Sequence, residues 1–465
     1  LIGLCIFGIR GRTGYNPIKV SAAYFCQDAF LNQLGVSPTF NLLTSVMDDM
    51  RPENKYLHLM DEQEAITKAQ ALLNRPGDAN VSPLAVYRHA AKADSVQQRR
   101  PNVVLIMMES MSAKFMKHFG QSETLTPFLD SLYTRSISFR NFYSAGIHTN
   151  HGLYATLYSF PAMMKRNLMK GSVIPRYSGL PTVLKENGYY NLFFMTHEGQ
   201  YDNMNAFFRT NGYDEVFSQE DYPVDKVVNS FGVQDDFLYD YAIPVLNQRA
   251  ATGQPFFATL LSISNHPPYV IPPFFHPKTS EPEMQIVEYA DWALRQFFEE
   301  ARKQPWFDNT IFVLEGDHGK LVGDAECELP ESYNHIPLMI YSSRIQPEEK
   351  TAFGGQVDIQ PTILGLLNID YLQNNFGVDL LKEERPCMFY TADNMVVGRN
   401  DTLLYLYNYE TQQELTYDIG NGKLNAVPMD DSFFPLKEYS FSMLQSAEFL
   451  VKHGKTLNSI PFTQQ

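Results

Sequence analysis

Two short runs made wholly of apolar residues set the limits on what this chain can fold into. Val103-Val-Leu-Ile-Met-Met108, entered through Asn102, is too uniform for a half-exposed strand, and Ile311-Phe-Val-Leu314 is rich in β-branched residues and stops at Gly316. Such runs read as strands buried on both faces, the kind found in parallel sheets covered by helices. Each leads into chemistry: Glu109 follows the first directly, and Asp317-His318 follows the second between Gly316 and Gly319. In open α/β sheets ligands bind at that carboxyl edge, because the returning helices leave a crevice there. A buried acid is costly unless it is paired or bound to a metal. A carboxylate and an imidazole on a glycine-framed turn can both ligate a divalent cation, although either acid can instead simply cap the turn that follows.

The rest of the chain supplies the partners such a sheet requires. Residues 180–187 read as a helix closed by Gly188, 190–195 as a strand, and 204–210 as a helix stopped by Asn211-Gly212. Residues 232–250 are helical and 255–262 form the next buried strand. A helix over 283–304 then feeds the strand that ends at Asp317, making a right-handed βαβ unit. Further elements are a helix over 126–136 with Thr126 as N-cap, a strand over 138–143, a strand over 335–341 and a helix over 357–367. From about Cys387 the pattern changes to short alternating strands and one last helix, which predicts a smaller antiparallel part. The expected division is a helical prelude over 1–100, a catalytic core over 101–386 and an α+β part over 387–465.

Within the prelude, residues 22–34 and 62–73 have helical spacing, with Asp61 as the second N-cap and Arg75-Pro-Gly77 as a stop. Residues 82–100 read as a linker. The apolar start, Leu1 to Ile9 followed by Arg10 and Arg12, is too short to span a bilayer, which needs ~20 residues. It reads either as the tail of a membrane helix in a longer polypeptide or as a buried strand.

Three further residues stand at strand ends or helix entrances. Thr149 opens the helix that carries Leu153 and Leu157, where a hydroxyl can cap the helix or act as a nucleophile on a phosphate drawn by the helix dipole. His266, in Ser264-Asn-His-Pro-Pro-Tyr269, is rigidly displayed for a substrate contact or for a loop hydrogen bond, and His335 opens a strand beside the same crevice. Two carboxylates, a hydroxyl and an imidazole suit one Mn²⁺ or Zn²⁺, which would ease loss of the threonine proton for displacement at phosphorus or sulfur. The net charge of −15, with no basic run to offset it, excludes a nucleic-acid partner. Cys5, Cys26, Cys327 and Cys387 lack metal-type spacing.

Taken in order, Asn102-Val-Val-Leu-Ile-Met-Met-Glu-Ser110, Tyr289-Ala-Asp-Trp-Ala-Leu294, Asn309-Thr-Ile-Phe-Val-Leu-Glu-Gly-Asp-His-Gly319, His335-Ile-Pro-Leu338 and Val357-Asp-Ile-Gln-Pro-Thr-Ile-Leu364 resemble the motifs of the sulfatase-like branch of the alkaline phosphatase superfamily. Within it they are most similar to phosphoglycerol transferases of the lipoteichoic acid synthase type, over residues 100–385. The resemblance implies an α/β fold of alkaline phosphatase/sulfatase type: a sandwich whose central, mostly parallel sheet is flanked by helices, with a smaller C-terminal antiparallel sheet. It implies that Glu109, Thr149, Asp317 and His318 bind one divalent metal ion, Mn²⁺ foremost and Zn²⁺ or Mg²⁺ as alternatives. It also implies that Thr149 is transiently phosphorylated and that His266 and His335 contact the transferred group. The implied partners are a phospholipid head-group donor and a glycan or lipid acceptor. The implied place is the outer face of a bacterial cytoplasmic membrane, reached through helices upstream of this chain. Two departures count. No Cys/Ser-x-Pro-x-Arg motif is present, which disfavours sulfate ester hydrolysis. Around Ser230-Phe-Gly-Val-Gln234, where glycerol-phosphate polymerising members tend to carry Trp and Arg, neither occurs, which leaves phosphoethanolamine open as the head group.

Overall fold

The computed structural model describes residues 2–12, 17–24, 26, 29–51, 55–73, 87–90, 100–171, 174–420 and 422–458. Among the described residues, the prelude holds the helices α1 (Ile2–Arg10), α2 (Ala29–Leu34), α3 (Pro38–Asp49) and α4 (Glu62–Leu73), then strand β1 (Tyr87–Ala90). The core runs β2 (Asn102–Met108), α5 (Pro127–Tyr133), β3 (Ile137–Tyr143), α6 (Thr149–Tyr158), α7 (Leu180–Glu186), β4 (Tyr190–Met195), α8 (Met204–Thr210) and β5 (Glu215–Phe217). It continues through α9 (Asp235–Ala250), β6 (Phe256–Leu261), α10 (Pro282–Ala301), β7 (Thr310–Gly316), β8 (Leu338–Tyr341), β9 (Glu348–Gly355), α11 (Ile359–Leu366) and β10 (Tyr371–Asn374). Last come β11 (Met388–Thr391), β12 (Met395–Arg399), β13 (Leu403–Asn408), β14 (Gln413–Gly420), β15 (Lys423–Ala426) and α12 (Phe434–Lys452).

Eight strands form the central sheet in the order β5-β4-β6-β2-β7-β8-β3-β9. All neighbours are parallel except β8, which runs antiparallel to both β7 and β3. The apolar run of β2 has no polar alternation because both of its faces are covered. Val103, Leu105 and Met107 pack on the side that holds α6, α7, α8 and α12, whereas Val104, Ile106 and Met108 pack on the side of α5, α9 and α10. The separate sheet β11-β12-β13-β14-β15 is an antiparallel meander, and α12 packs on it. The mixed α/β fold with a mostly parallel central sheet, flanking helices and a smaller antiparallel sheet is the one expected.

Several elements depart from the sequence reading. The apolar start is helical, not a strand. Residues 22–34 do not form one helix: a single 3₁₀ turn at Val20–Ala23 is separated from α2. In the expected linker, β1 pairs antiparallel with β10, a long-range partner that no local pattern announces. The Arg75-Pro-Gly77 stop lies outside the described residues. The 335–341 strand starts only at Leu338, and the 232–250 helix only at Asp235, since Gly232 takes a φ of +90° that no helix admits. Asp61 does cap α4, accepting the Glu64 amide at 2.9 Å.

Thr126 stands at the N-cap of α5 without capping it, and its hydroxyl turns to Asp130 and the Phe115 carbonyl. The free amides of Phe128 and Leu129 donate instead to the two carboxylate oxygens of Asp291 on α10, each at 2.9 Å. Burial pushes the Asp291 carboxyl up to about 7 against the pull of those amides. Its folded value therefore lies above that of the unfolded chain, so the associated stability is complete below about pH 4 and is lost as pH rises through about 7. Wild type should lose stability relative to Asp291→Asn across that range, as read from urea midpoints; a pH-independent difference would contradict this.

Candidate metal centre

Strands β2 and β7 are parallel neighbours with Met108 opposite Gly316, so the next residues on each, Glu109 and Asp317, emerge side by side at the carboxyl edge. Both are buried, and ligand atoms of Glu109, Asp317 and His318 lie within 4.8 Å of one another. His318 Nε2 is 3.6 Å from Asp317 Oδ2 and 3.9 Å from Glu109 Oε1, too far for hydrogen bonds and suited to atoms that share one cation.

The surroundings fix these groups and leave their inward atoms without partners. His318 Nδ1 lies 2.7 Å from the Gly319 carbonyl, an arrangement that places the ring proton on Nδ1 and leaves the Nε2 lone pair facing inward. Asp317 Oδ1 accepts the amides of Ser110 and His318 at 2.8 and 2.7 Å, whereas the buried Oδ2 has no hydrogen-bond partner. Ser110 serves both acids: its amide goes to Asp317 and its hydroxyl donates to Glu109 Oε1 at 2.7 Å. It does so from a left-handed backbone, φ +50°, a strained conformation held in place by these contacts. Burial, and next the charge of Asp317, push the Glu109 carboxyl well above the usual range. Two enclosed carboxylates, an orphaned oxygen and an aimed imidazole nitrogen are a donor set that a divalent cation fits.

Thr149 is the first residue of α6, and the N-cap is His148, whose ring pairs with Asp393 at 2.6 Å. The threonine hydroxyl is thus not spent on capping and lies 3.4 Å from Glu109 Oε2. Close approach of α6 to the β7 turn depends on Gly152, where a Cβ would come within 2.3 Å of the Asp317 carbonyl. Gln356 locks the same contact, donating to the carbonyls of Gly316 and Asp317 and accepting the Ala145 amide. Gly152→Ala should therefore push Thr149 out of register and lower turnover on the order of 10²-fold with little change in circular dichroism. Unchanged kinetics in that variant would show that the α6 position is not critical.

His266 follows β6, with its ring against Phe231 at a centroid distance of 4.0 Å and Nδ1 2.6 Å from the Pro267 carbonyl. Burial lowers its pKa, and its place just past β6, a parallel neighbour of β2, puts it on the same edge. His335 is not brought to this group. Its Nε2 meets the Arg140 carbonyl at 2.8 Å, and its ring stacks on Tyr143 and meets the edge of Phe119.

Other residues of the site carried weaker sequence signals. Asn265 donates to the carbonyls of Glu109 and Ser110, both at 3.1 Å, and accepts from Lys320 at 2.8 Å. Its only mark in the sequence is its place beside His266. Gln356 and Ser110 sit next to recognised motifs, but their roles arise from tertiary contacts. His151, one turn into α6, is fully buried with both ring nitrogens unpartnered, and burial pushes its pKa down to about 3.

Residues 101–369, more than half of the chain, match the sulfatase family model. The chain belongs to the sulfatase family. Sulfatase-family relatives include lipoteichoic acid synthase 2 of Bacillus subtilis, 24% identical over 61% of this chain and 47% of that protein. Lipoteichoic acid synthase 1 of the same organism is 25% identical over 69% of this chain and 53% of that protein. The chain thus spans about half the length of these curated relatives. Among solved structures, a protein of the alkaline phosphatase superfamily from Vibrio parahaemolyticus aligns with TM-score 0.76 at 26% identity, covering 86% of this chain and 98% of that one. The lipoteichoic acid synthase LtaP from Listeria monocytogenes aligns with TM-score 0.66 at 21% identity, covering 76% and 93%. The resemblance of this sulfatase-family chain to the alkaline phosphatase superfamily therefore holds in sequence and in fold. Among the described residues, no helix is long and apolar enough to cross a membrane.

Proposed function

We propose that this chain is a metal-dependent phosphotransferase that moves a phosphoryl-linked head group, of phosphoglycerol type, from a phospholipid to an envelope glycan or lipid. The observation that carries the proposal is the Thr149 hydroxyl, free of capping duty at a helix entrance and set on the Glu109 carboxylate beside Asp317 and His318. The lipoteichoic acid synthase relatives support the phosphoglycerol class.

Glu109, Thr149, Asp317 and His318 would hold one divalent ion, a donor set of oxygens and one nitrogen that accepts Mn²⁺, the ion the family resemblance puts foremost, and also Zn²⁺ or Mg²⁺. When bound, the ion makes the hydroxyl more acidic and offsets charge on the phosphoryl oxygens. Thr149 Oγ forms a bond to phosphorus as the bond from phosphorus to the lipid alcohol breaks, and the hydroxyl proton leaves on that alcohol as diacylglycerol. An acceptor hydroxyl then displaces Thr149, gives up its proton and restores the free threonine. His266, its ring held by Phe231, presents Nε2 to the phosphoryl group. The site works at the outer face of a bacterial cytoplasmic membrane in this reading.

A second reading keeps the mechanism and changes the head group to phosphoethanolamine. The observation that favours it is Phe231, which occupies the wall beside His266 in a stretch without Trp or Arg. Water as acceptor would make the same site a phosphodiesterase. Incubation with Mn²⁺ and vesicles of phosphatidylglycerol or phosphatidylethanolamine separates these readings. Diacylglycerol release from phosphatidylglycerol is expected; release from phosphatidylethanolamine alone supports the second reading, and release from neither contradicts both.

A further inference from the structure

Lys320 follows the Asp317-His318-Gly319 turn and carries its charge into a nearly enclosed place, with its side chain only 15% exposed. The ammonium meets three oxygens. It donates to Asn265 Oδ1 at 2.8 Å and to the Tyr269 hydroxyl at 3.2 Å, and it pairs at 3.1 Å with Glu283 Oε1 in the first turn of α10. The rings of Phe115 and Tyr269 lie beside it, with centroids 5.3 and 4.9 Å from Nζ. An ammonium has three N–H groups, so three oxygens meet its capacity, and Glu283 balances its charge. A lysine engaged in this way is not the group that grips a phosphoryl oxygen.

Its partners show what it holds instead. Asn265 and Tyr269 bracket His266, and the exposed residues between His266 and Tyr269 are Pro267 and Pro268, which have no N–H to donate. The position of that stretch is therefore set from its flanks. At one flank the Asn265 side chain donates to the Glu109 and Ser110 carbonyls and accepts from Lys320, so every polar atom of its amide is used. At the other flank Lys320 holds the Tyr269 hydroxyl, and Gln234 donates to the Val270 carbonyl at 2.8 Å. Of these anchors Lys320 alone grips both flanks, and it belongs to the turn that presents Asp317 and His318.

We propose that Lys320 is a positioning residue that ties the turn carrying Asp317 and His318 to the loop carrying His266, so that the imidazole stays level with the metal centre. The consequence for catalysis rests on the proposed contact of His266 with the transferred group; the tie itself does not. Lys320→Met keeps most of the length of the side chain and removes the ammonium, which leaves the buried Asn265 oxygen without its partner and frees the Tyr269 end.

Nuclear magnetic resonance of the metal-free full chain, labelled with ¹³C-histidine, reads the tie directly. The Phe231 ring, 4.0 Å from that of His266, displaces the His266 signal, which is identified by its loss in His266→Gln. Lys320→Met should remove that displacement. Tyr269→Phe, which deletes only the hydroxyl, should move the signal the same way by less, and it decides the matter if Lys320→Met does not fold. An unmoved signal in the folded variants overturns the proposal. Kinetics with Mn²⁺ and bis(p-nitrophenyl) phosphate read the consequence. Lys320→Met should lower kcat/KM about 10²-fold at unchanged Mn²⁺ affinity, but by less than about twofold where His266 is already replaced in His266→Ala. Equal losses in both backgrounds, or a fall in Mn²⁺ affinity, would mean that Lys320 acts on the turn alone and would overturn the proposal. A wild type without turnover would defeat the phosphotransferase reading, and the His266 signal would still decide the tie.

Discussion

Thr149→Ala is expected to lower turnover of a phosphodiester substrate by at least about 10³-fold and to abolish any covalent protein adduct, the size of loss seen when a catalytic nucleophile is removed. The expectation follows from where the side chain is. As the first residue of α6 it satisfies no helix amide, and its recorded hydrogen bond is the 3.4 Å contact to Glu109 Oε2. Deleting the hydroxyl thus costs the fold little and the proposed chemistry nearly everything. Thr149→Ser retains the oxygen and should retain the adduct. Single-turnover kinetics and intact-protein mass spectrometry check both variants. Full turnover by the alanine variant would mean that water attacks phosphorus directly and that no phosphothreonine forms.

The second large effect is expected at Asp317. Its Oδ1 is already engaged by the Ser110 and His318 amides, and its Oδ2 is buried without a partner. In Asp317→Asn the charge is lost and an amide NH₂ occupies a position that should face a cation, so Mn²⁺ affinity should fall by more than about 10²-fold, beyond the loss typical of residues that only support a metal ligand. In wild type, Mn²⁺ at a hundred times its dissociation constant should add about 2.7 kcal/mol to stability, visible as a rise in Tm. The variant should show no such rise at the same concentration. Calorimetric titration with thermal melts reads both. An equal Tm rise in the variant would place the ion elsewhere.

The sheet and the cluster of candidate ligands were legible in the sequence for one physical reason: strands buried on both faces leave unbroken apolar runs, and an acid just past such a run falls at the carboxyl edge where ligands bind. Val103 to Met108 followed by Glu109, and Ile311 to Leu314 followed by Asp317-His318, carried that signal. Strand β9 did not, because its first half, Glu348-Glu-Lys-Thr351, lies exposed at the sheet edge and has no apolar rhythm. β1 and β10 find each other across nearly three hundred residues, beyond the reach of any local pattern. At the site, the residue types were readable and the roles were less so. Thr149 occupies a position where capping and nucleophilic reading predict the same amino acid, and only the placement of His148 at the cap separates them. His335 shared the histidine signal but is turned to Arg140 and Tyr143 by the antiparallel bridge between Tyr143 and His335. Gln356, Asn265 and Gly152 act by touching backbone carbonyls, a function that leaves no trace in residue pattern.

The account depends on four side chains from three separate stretches sharing one cation. Crystals grown with Mn²⁺ and measured on both sides of the manganese absorption edge test it most directly. The account predicts a single anomalous peak in coordination contact with Glu109, Thr149, Asp317 and His318; a peak that engages the acids and histidine but leaves the Thr149 oxygen outside coordination distance, or one at another place, would contradict it.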